Sequence, residues 1–254
     1  MRSRDPVWHS YGMETPRGAW DAAAKALDLV RRALVFRTLL LVLGIAYIAS
    51  LLVRAPGAET RHLLDCWLGT ADTLVTLVAL IGVSRYVTRA PDGHAGSAGF
   101  APLCLGTALF AQIYRDWIDI QIVRSASAPI AGLGDHVAHL PYLEIVASGG
   151  ALLALWSLLG GLVSVARELS SETVARRARA MAVMTCVLST AFGGFEYWVT
   201  TGRPDDSALM IWLVLAVFAL GVLCLAAGTL AMASDAMRTG PRQTLPGARV
   251  VSEA

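Results

Sequence analysis

APLCLGTALFAQIYRDWIDIQIV, residues 101–123, is the stretch whose reading decides how many times the chain crosses a membrane. Its first half is apolar and its second carries Arg115, Asp116 and Asp119, so hydropathy alone leaves it marginal. Its neighbours are clearer. A span needs ~20 mostly apolar residues to cross a hydrocarbon core of ~30 Å. Ala208–Ala233 and Thr38–Val53 carry no charge, while Cys66–Val87, Tyr142–Ala166 and Ala180–Val199 hold a single acid each, Asp72, Glu144 and Glu196.

The distribution of basic residues settles the marginal stretch. Six lie in the first 33 residues, and Arg167, Arg176, Arg177 and Arg179 lie between the fourth and fifth candidate spans. Both groups belong on the cytoplasmic side, so an even number of spans separates them. Counting residues 101–123 makes that number four. Fifteen basic residues then face the cytoplasm, and Arg54, Arg61, Arg124 and Arg203 face outward.

The fold class that follows is an all-α membrane protein, a bundle of six transmembrane helices with N and C termini cytoplasmic. The spans run roughly 38–53, 65–88, 101–124, 142–167, 179–200 and 208–233. The six-helix domain occupies 34–233. It is preceded by a cytoplasmic segment, 1–33, and followed by a polar tail, 234–254, read as disordered. Residues 16–33 read as an amphipathic helix, with Trp20, Ala23, Leu27, Val30 and Leu34 on one face. The plain reading of that face is a helix lying on the inner leaflet. No cleavable secretory signal fits, so the first span is read as an uncleaved anchor, with Arg37 snorkelling at its edge.

Composition agrees. Of 254 residues, 56% are hydrophobic and only 16% charged, and mean hydropathy is +0.57. A formal charge of +2 offers no field for nucleic acid, which is excluded as a partner. Cys66, Cys104, Cys186 and Cys224 are scattered singly, which argues against a disulfide framework or zinc knuckle. Lys25 is the one lysine among 21 basic residues, a bias read as that of a GC-rich bacterial genome.

Polar residues gather at the outer ends of the helices. Gln112, Arg115, Asp116 and Asp119 share one face of the third span by their spacing. Asp72 is expected roughly 9 Å below the outer end of the second span, with Arg115 at about the same depth. Helices joined by a short loop are normally neighbours, so Asp72 and Arg115 are expected to form an ion pair. Glu144 opens the fourth span on the same side and Glu196 closes the fifth. Charges in a bilayer face a neighbour or a wet cavity.

Asp72, Gln112, Arg115, Asp116, Asp119, Glu144 and Glu196 are therefore the candidate polar cavity, facing the periplasm. The functional expectation is a multi-pass protein of the bacterial inner membrane, surrounded by membrane lipid. It would serve as a small transporter of a cation or small cationic solute, or as a subunit of a membrane complex or homo-oligomer. No catalytic constellation is identified. A second reading is a membrane enzyme with a divalent metal on His136, His139 and Glu144; no other cofactor is expected. A third is a purely structural partner protein. The Gly149-Gly150, Gly160-Gly161 and Gly193-Gly194 pairs are read as places where helix backbones approach or bend.

Overall fold

The computed structural model describes residues 16–53, 58–90, 96–125, 132–201 and 207–239, which are almost wholly helical. Residues 1–15, Arg54, Arg203 and the tail beyond 239 lie outside the described residues. The elements are α1 (Pro16–Val53), α2 (Ala58–Arg89), a 3-10 turn (Gly96–Phe100) leading into α3 (Ala101–Ser125), α4 (Leu133–Val137), α5 (Leu140–Glu168), α6 (Glu172–Thr201) and α7 (Ser207–Thr239). Apart from the one-turn α4, all are long and apolar enough to cross a membrane, the helix holding residues 101–123 included. Six such helices are compatible with a polytopic membrane protein.

Two boundaries differ from expectation. Residues 16–33 are not a separate surface helix: α1 is continuous over 38 residues, roughly 57 Å at 1.5 Å per residue. No Gly or Pro interrupts it between Ala19 and Leu43, so nothing breaks the ladder. The apolar face of its first half packs against α2 and α7, and Ala23, Leu27, Val30 and Leu34 are buried in protein. At the other terminus α7 continues past 233 to Thr239, because Ser234 and Met237 are buried, Met237 beside Leu162 and Val165 of α5 and Val174 of α6.

The long helices pack in chain order. α1 lies against α2, α2 against α3, α3 against α5, α5 against α6, and α6 against α7, which returns to α1. This closes a ring. Its closing contact is tied by an ion pair between Asp28 on α1 and Arg238 on α7, which sets the start of the first helix beside the end of the last. That end of the bundle is called the terminal end below, and the opposite one the far end.

Close helix approach depends on small residues. A carbon added to Gly82 on α2 would stand 3.1 Å from the Val30 nitrogen and 3.3 Å from the Ala26 oxygen of α1. At Gly150 on α5 it would stand 2.9 Å from the Cys104 oxygen of α3. Gly160 sits against Ser97 of the 3-10 turn, whereas Gly193 and Gly194 meet nothing and α6 runs through them as one helix. The turn itself is pinned to α5. Ser97 Oγ donates to the Ser157 carbonyl at 3.1 Å, and the Ser157 hydroxyl donates back to the Ser97 carbonyl.

The two ends are built differently. At the terminal end Leu27, Tyr86, Leu158, Leu162, Leu230 and Met237 are fully buried, while Arg31, Arg32, Arg176 and Arg177 face outward. Toward the far end the outer surface is apolar: Phe36 is 60% exposed, Phe110 73% and Val214 66%. A continuous apolar girdle of that kind suits lipid and would be an aggregation surface in water.

Candidate functional site

Inside the ring is a cavity of about 780 Å³ with walls from all six long helices. That volume is within the ordinary range of small-molecule sites. Among the candidate polar residues, Asp72, Arg115, Asp119 and Glu144 line it, together with Asp65 and Arg37. Gln112, Asp116 and Glu196 are not part of its wall. Gln112 and Asp116 stand behind that wall, and Glu196 is half-buried on α6.

Arg37 is, with Asp65, a charged wall residue that sequence reasoning missed. It comes from the middle of the unbroken α1 and puts Nη2 3.0 Å from Asp72 Oδ2. Gln112, completely buried on α3, donates Nε2 to the same oxygen at 2.6 Å. Three helices are thereby joined through one carboxylate. The Gln112 Oε1 has no hydrogen-bond partner among the described residues.

The expected Asp72–Arg115 pair is accordingly replaced by two others. Arg115 Nη2 donates to its neighbour Asp116 at 3.1 Å, and Thr73 Oγ1 on α2 donates to the other Asp116 oxygen at 2.6 Å. The physical reason is register. Arg115 and Asp116 nest on Gly69, one turn along α2 from Asp72, where an added carbon would stand 2.9 Å from Arg115 Nη2 and 2.8 Å from Asp116 Oδ1. The glycine leaves them that space without any shift of their side chains. Arg115 thus lies one turn nearer the far end than its expected depth, and Arg37 takes the place beside Asp72.

The proposed metal ligands do not come together. The His136 Nδ1 shares a 2.7 Å hydrogen bond with the Tyr114 hydroxyl, and its ring stands edge-on to Trp117 at 5.3 Å. Trp117 in turn stacks on Tyr114 with ring centres 5.8 Å apart. His139 is the N-cap residue of α5, ahead of Pro141 in its first turn, and Glu144 faces the cavity. Among the described residues no three His, Cys, Asp or Glu side chains converge on a metal-binding point. His136 and its two aromatic neighbours instead fasten α4 to α3.

Polarity in the cavity is sorted by helix. The charged residues come from α1, α2, α3 and α5, whereas α6 and α7 contribute Leu188, Phe192, Trp212, Ala219 and Leu223. Both guanidiniums in the wall are already held by carboxylates, Arg37 by Asp72 and Arg115 by Asp116. Four carboxylates line the space against those two cations. Glu144 is exposed to it, and its carboxylate accepts no hydrogen bond from the described residues. The chemistry this arrangement offers is electrostatic binding of positive charge.

Fold and site together define a closed ring of six apolar helices around an acid-rich chamber. Comparison with protein-family models, curated proteins and solved structures finds no match to the chain.

Proposed function

We propose that the protein is a multi-pass protein of the bacterial inner membrane that receives a cationic solute in its central cavity from the periplasmic side. It acts as a small transporter seen with its cytoplasmic half closed. The observation that carries this reading is the cavity wall, where Arg37 is engaged by Asp72, Arg115 is engaged by Asp116 from outside the wall, and the Glu144 carboxylate opens into the space. The orientation rests on the fifteen-to-four bias of basic residues, which assigns the terminal end to the cytoplasm. Closure at that end is supplied by the packed core around Leu158 and Leu162 and by the pinned Ser97–Ser157 turn. Passage would require that core to part, so alternating access would be a movement of the terminal half around a fixed site.

Cysteine accessibility tests it. Cys66, Cys104, Cys186 and Cys224 are first replaced by Ala, and a single cysteine is placed at Ser148 in the wall or at Ser171 in the α5–α6 turn. A membrane-impermeant maleimide added outside spheroplasts is expected to label Ser148→Cys and to leave Ser171→Cys untouched until the membrane is permeabilised. Labelling with the reverse sidedness, or no reaction at Ser148→Cys under either condition, overturns the reading.

A further inference from the structure

We propose that the solute is an amphiphile, a cationic head carrying an apolar tail, and not a small hydrated cation; this rests on the cavity being the solute site. Length is the first observation. The wall runs from Leu34 to Ile48 on α1 and from Asp65 to Ala79 on α2, in each case a rise of roughly 21 Å, and Val30 and Val83, buried in the core, close it below. A bare cation occupies a few ångströms of that.

Zonation is the second. Along α2 the charged wall ends at Asp72, and from there toward the terminal end the lining continues through Val75, Thr76, Ala79 and Val83. The floor beneath it is formed by the buried Leu155 and Leu158 of α5 and Leu188 of α6. A hydrated ion gains nothing from such a chamber, whereas an alkyl tail gains in proportion to the area it removes from water.

Thr76 marks the border. It is 1% exposed, and its hydroxyl has no hydrogen-bond partner among the described residues, an unsatisfied donor where the polar and apolar zones meet. The sign of the head follows from the wall. Glu144 is open to the cavity, Asp65 and Asp119 line it too, and Phe192 of α6 and Trp212 of α7 contribute aromatic rings to the same wall. A cavity lined by both carboxylates and aromatic rings suits a quaternary or alkylated ammonium and repels phosphate or sulfonate.

The test uses the full chain with its single Ser148→Cys thiol, reconstituted in nanodiscs of zwitterionic lipid. The rate of maleimide labelling is followed with decyltrimethylammonium, tetramethylammonium or decanesulfonate, each relative to the unprotected rate. Decyltrimethylammonium is expected to slow labelling about tenfold at a concentration where the other two change it less than about twofold. Glu144→Gln is expected to raise the half-protecting concentration about tenfold. Leu188→Trp, which fills the apolar zone, is expected to bring protection by decyltrimethylammonium down to the tetramethylammonium level while sparing labelling itself.

Equal protection by tetramethylammonium overturns the tail, and equal protection by decanesulfonate overturns the head. No protection by any probe, with the thiol still reachable, overturns the amphiphile while leaving the reading beneath it standing. An unreachable thiol removes both.

Discussion

The same six helices are assembled on opposite polarity rules at the two ends of the molecule. At the terminal end α1 turns Ala23, Leu27 and Val30 inward and Arg31 and Arg32 outward, as a bundle in water does. About a turn further on, the same helix turns Phe36 and Leu39 outward and Arg37 inward. α2 repeats the change, with Val83 and Tyr86 buried near one end and Asp72 facing the cavity toward the other. In water apolar burial supplies most of the cohesion. In lipid it supplies none between helices, and close packing and polar contacts remain. The comparison teaches that the terminal half can hold the ring together while the far half stays hollow.

The largest expected effect is in the packed half. Leu158→Ala or Leu162→Ala removes a fully buried side chain and should destabilise by about 2–5 kcal/mol. Leu39→Ala, on the apolar girdle, should change stability by less than about 0.5 kcal/mol. Unfolding in mixed micelles with rising SDS compares them. Equal losses would break the contrast between the halves.

Next comes the ion pair. Asp72→Asn or Arg37→Gln alone should destabilise by about 2 kcal/mol, less than the ~3–5 kcal/mol for a fully buried pair, since each side chain is about a quarter exposed. The double variant should recover about 1 kcal/mol relative to the sum. The same cycle run with Arg115→Gln should show less than half that coupling, because Arg115 belongs to Asp116. A larger coupling to Arg115 would restore the pairing that the sequence suggests.

Two glycines of α2 sharpen the point at smaller scale. Gly82→Ala drives a methyl group into the backbone of α1, which cannot yield without parting the helices, and should destabilise by about 1–3 kcal/mol. Gly69→Ala meets only the ends of Arg115 and Asp116, which can swing away, and should stay below about 1 kcal/mol. Thermal melts in one detergent would decide between them.

The smallest effect belongs to Arg238→Ala at the terminal end. Its bridge to Asp28 is partly exposed, so the loss should be about 0.5–1 kcal/mol and should shrink as salt is raised. The Arg37–Asp72 pair, enclosed in the ring, should be much less sensitive to salt.

Much of the fold is legible in the chain itself. The long apolar helices show in runs of apolar residues, and residues 101–123 form one of them in spite of Arg115, Asp116 and Asp119. The face of residues 16–33 is legible too, but its destination is not: an apolar stripe looks the same whether lipid or α7 covers it. Arg37 is lost for a related reason. Counted from Thr38, it stands at a helix edge; the absence of Gly and Pro from Ala19 to Leu43 is the signal that it sits mid-helix. Depth along a span is uncertain by about a turn when counted from its ends, and that turn is what separates Asp72 from Arg115. The clue was Gly69, three residues before Asp72. The cavity has no local signature, because its wall is gathered from six separate helices.

Because every long helix of the ring packs on its neighbours in sequence, the order of synthesis matches the order of packing around the ring. As the chain emerges, each hairpin can dock on the one before it, with little loop entropy lost at any step. The contact between α1 and α7 is different, since it waits for the last helix. Until residues 207–239 arrive, the stripe from Ala23 to Leu34 lacks its partner on α7 and the chamber is a trough open along one side. The seam between the first helix and the last is where a nascent chain is most exposed to quality control, and a chain truncated before residue 207 should be cleared quickly by membrane proteases.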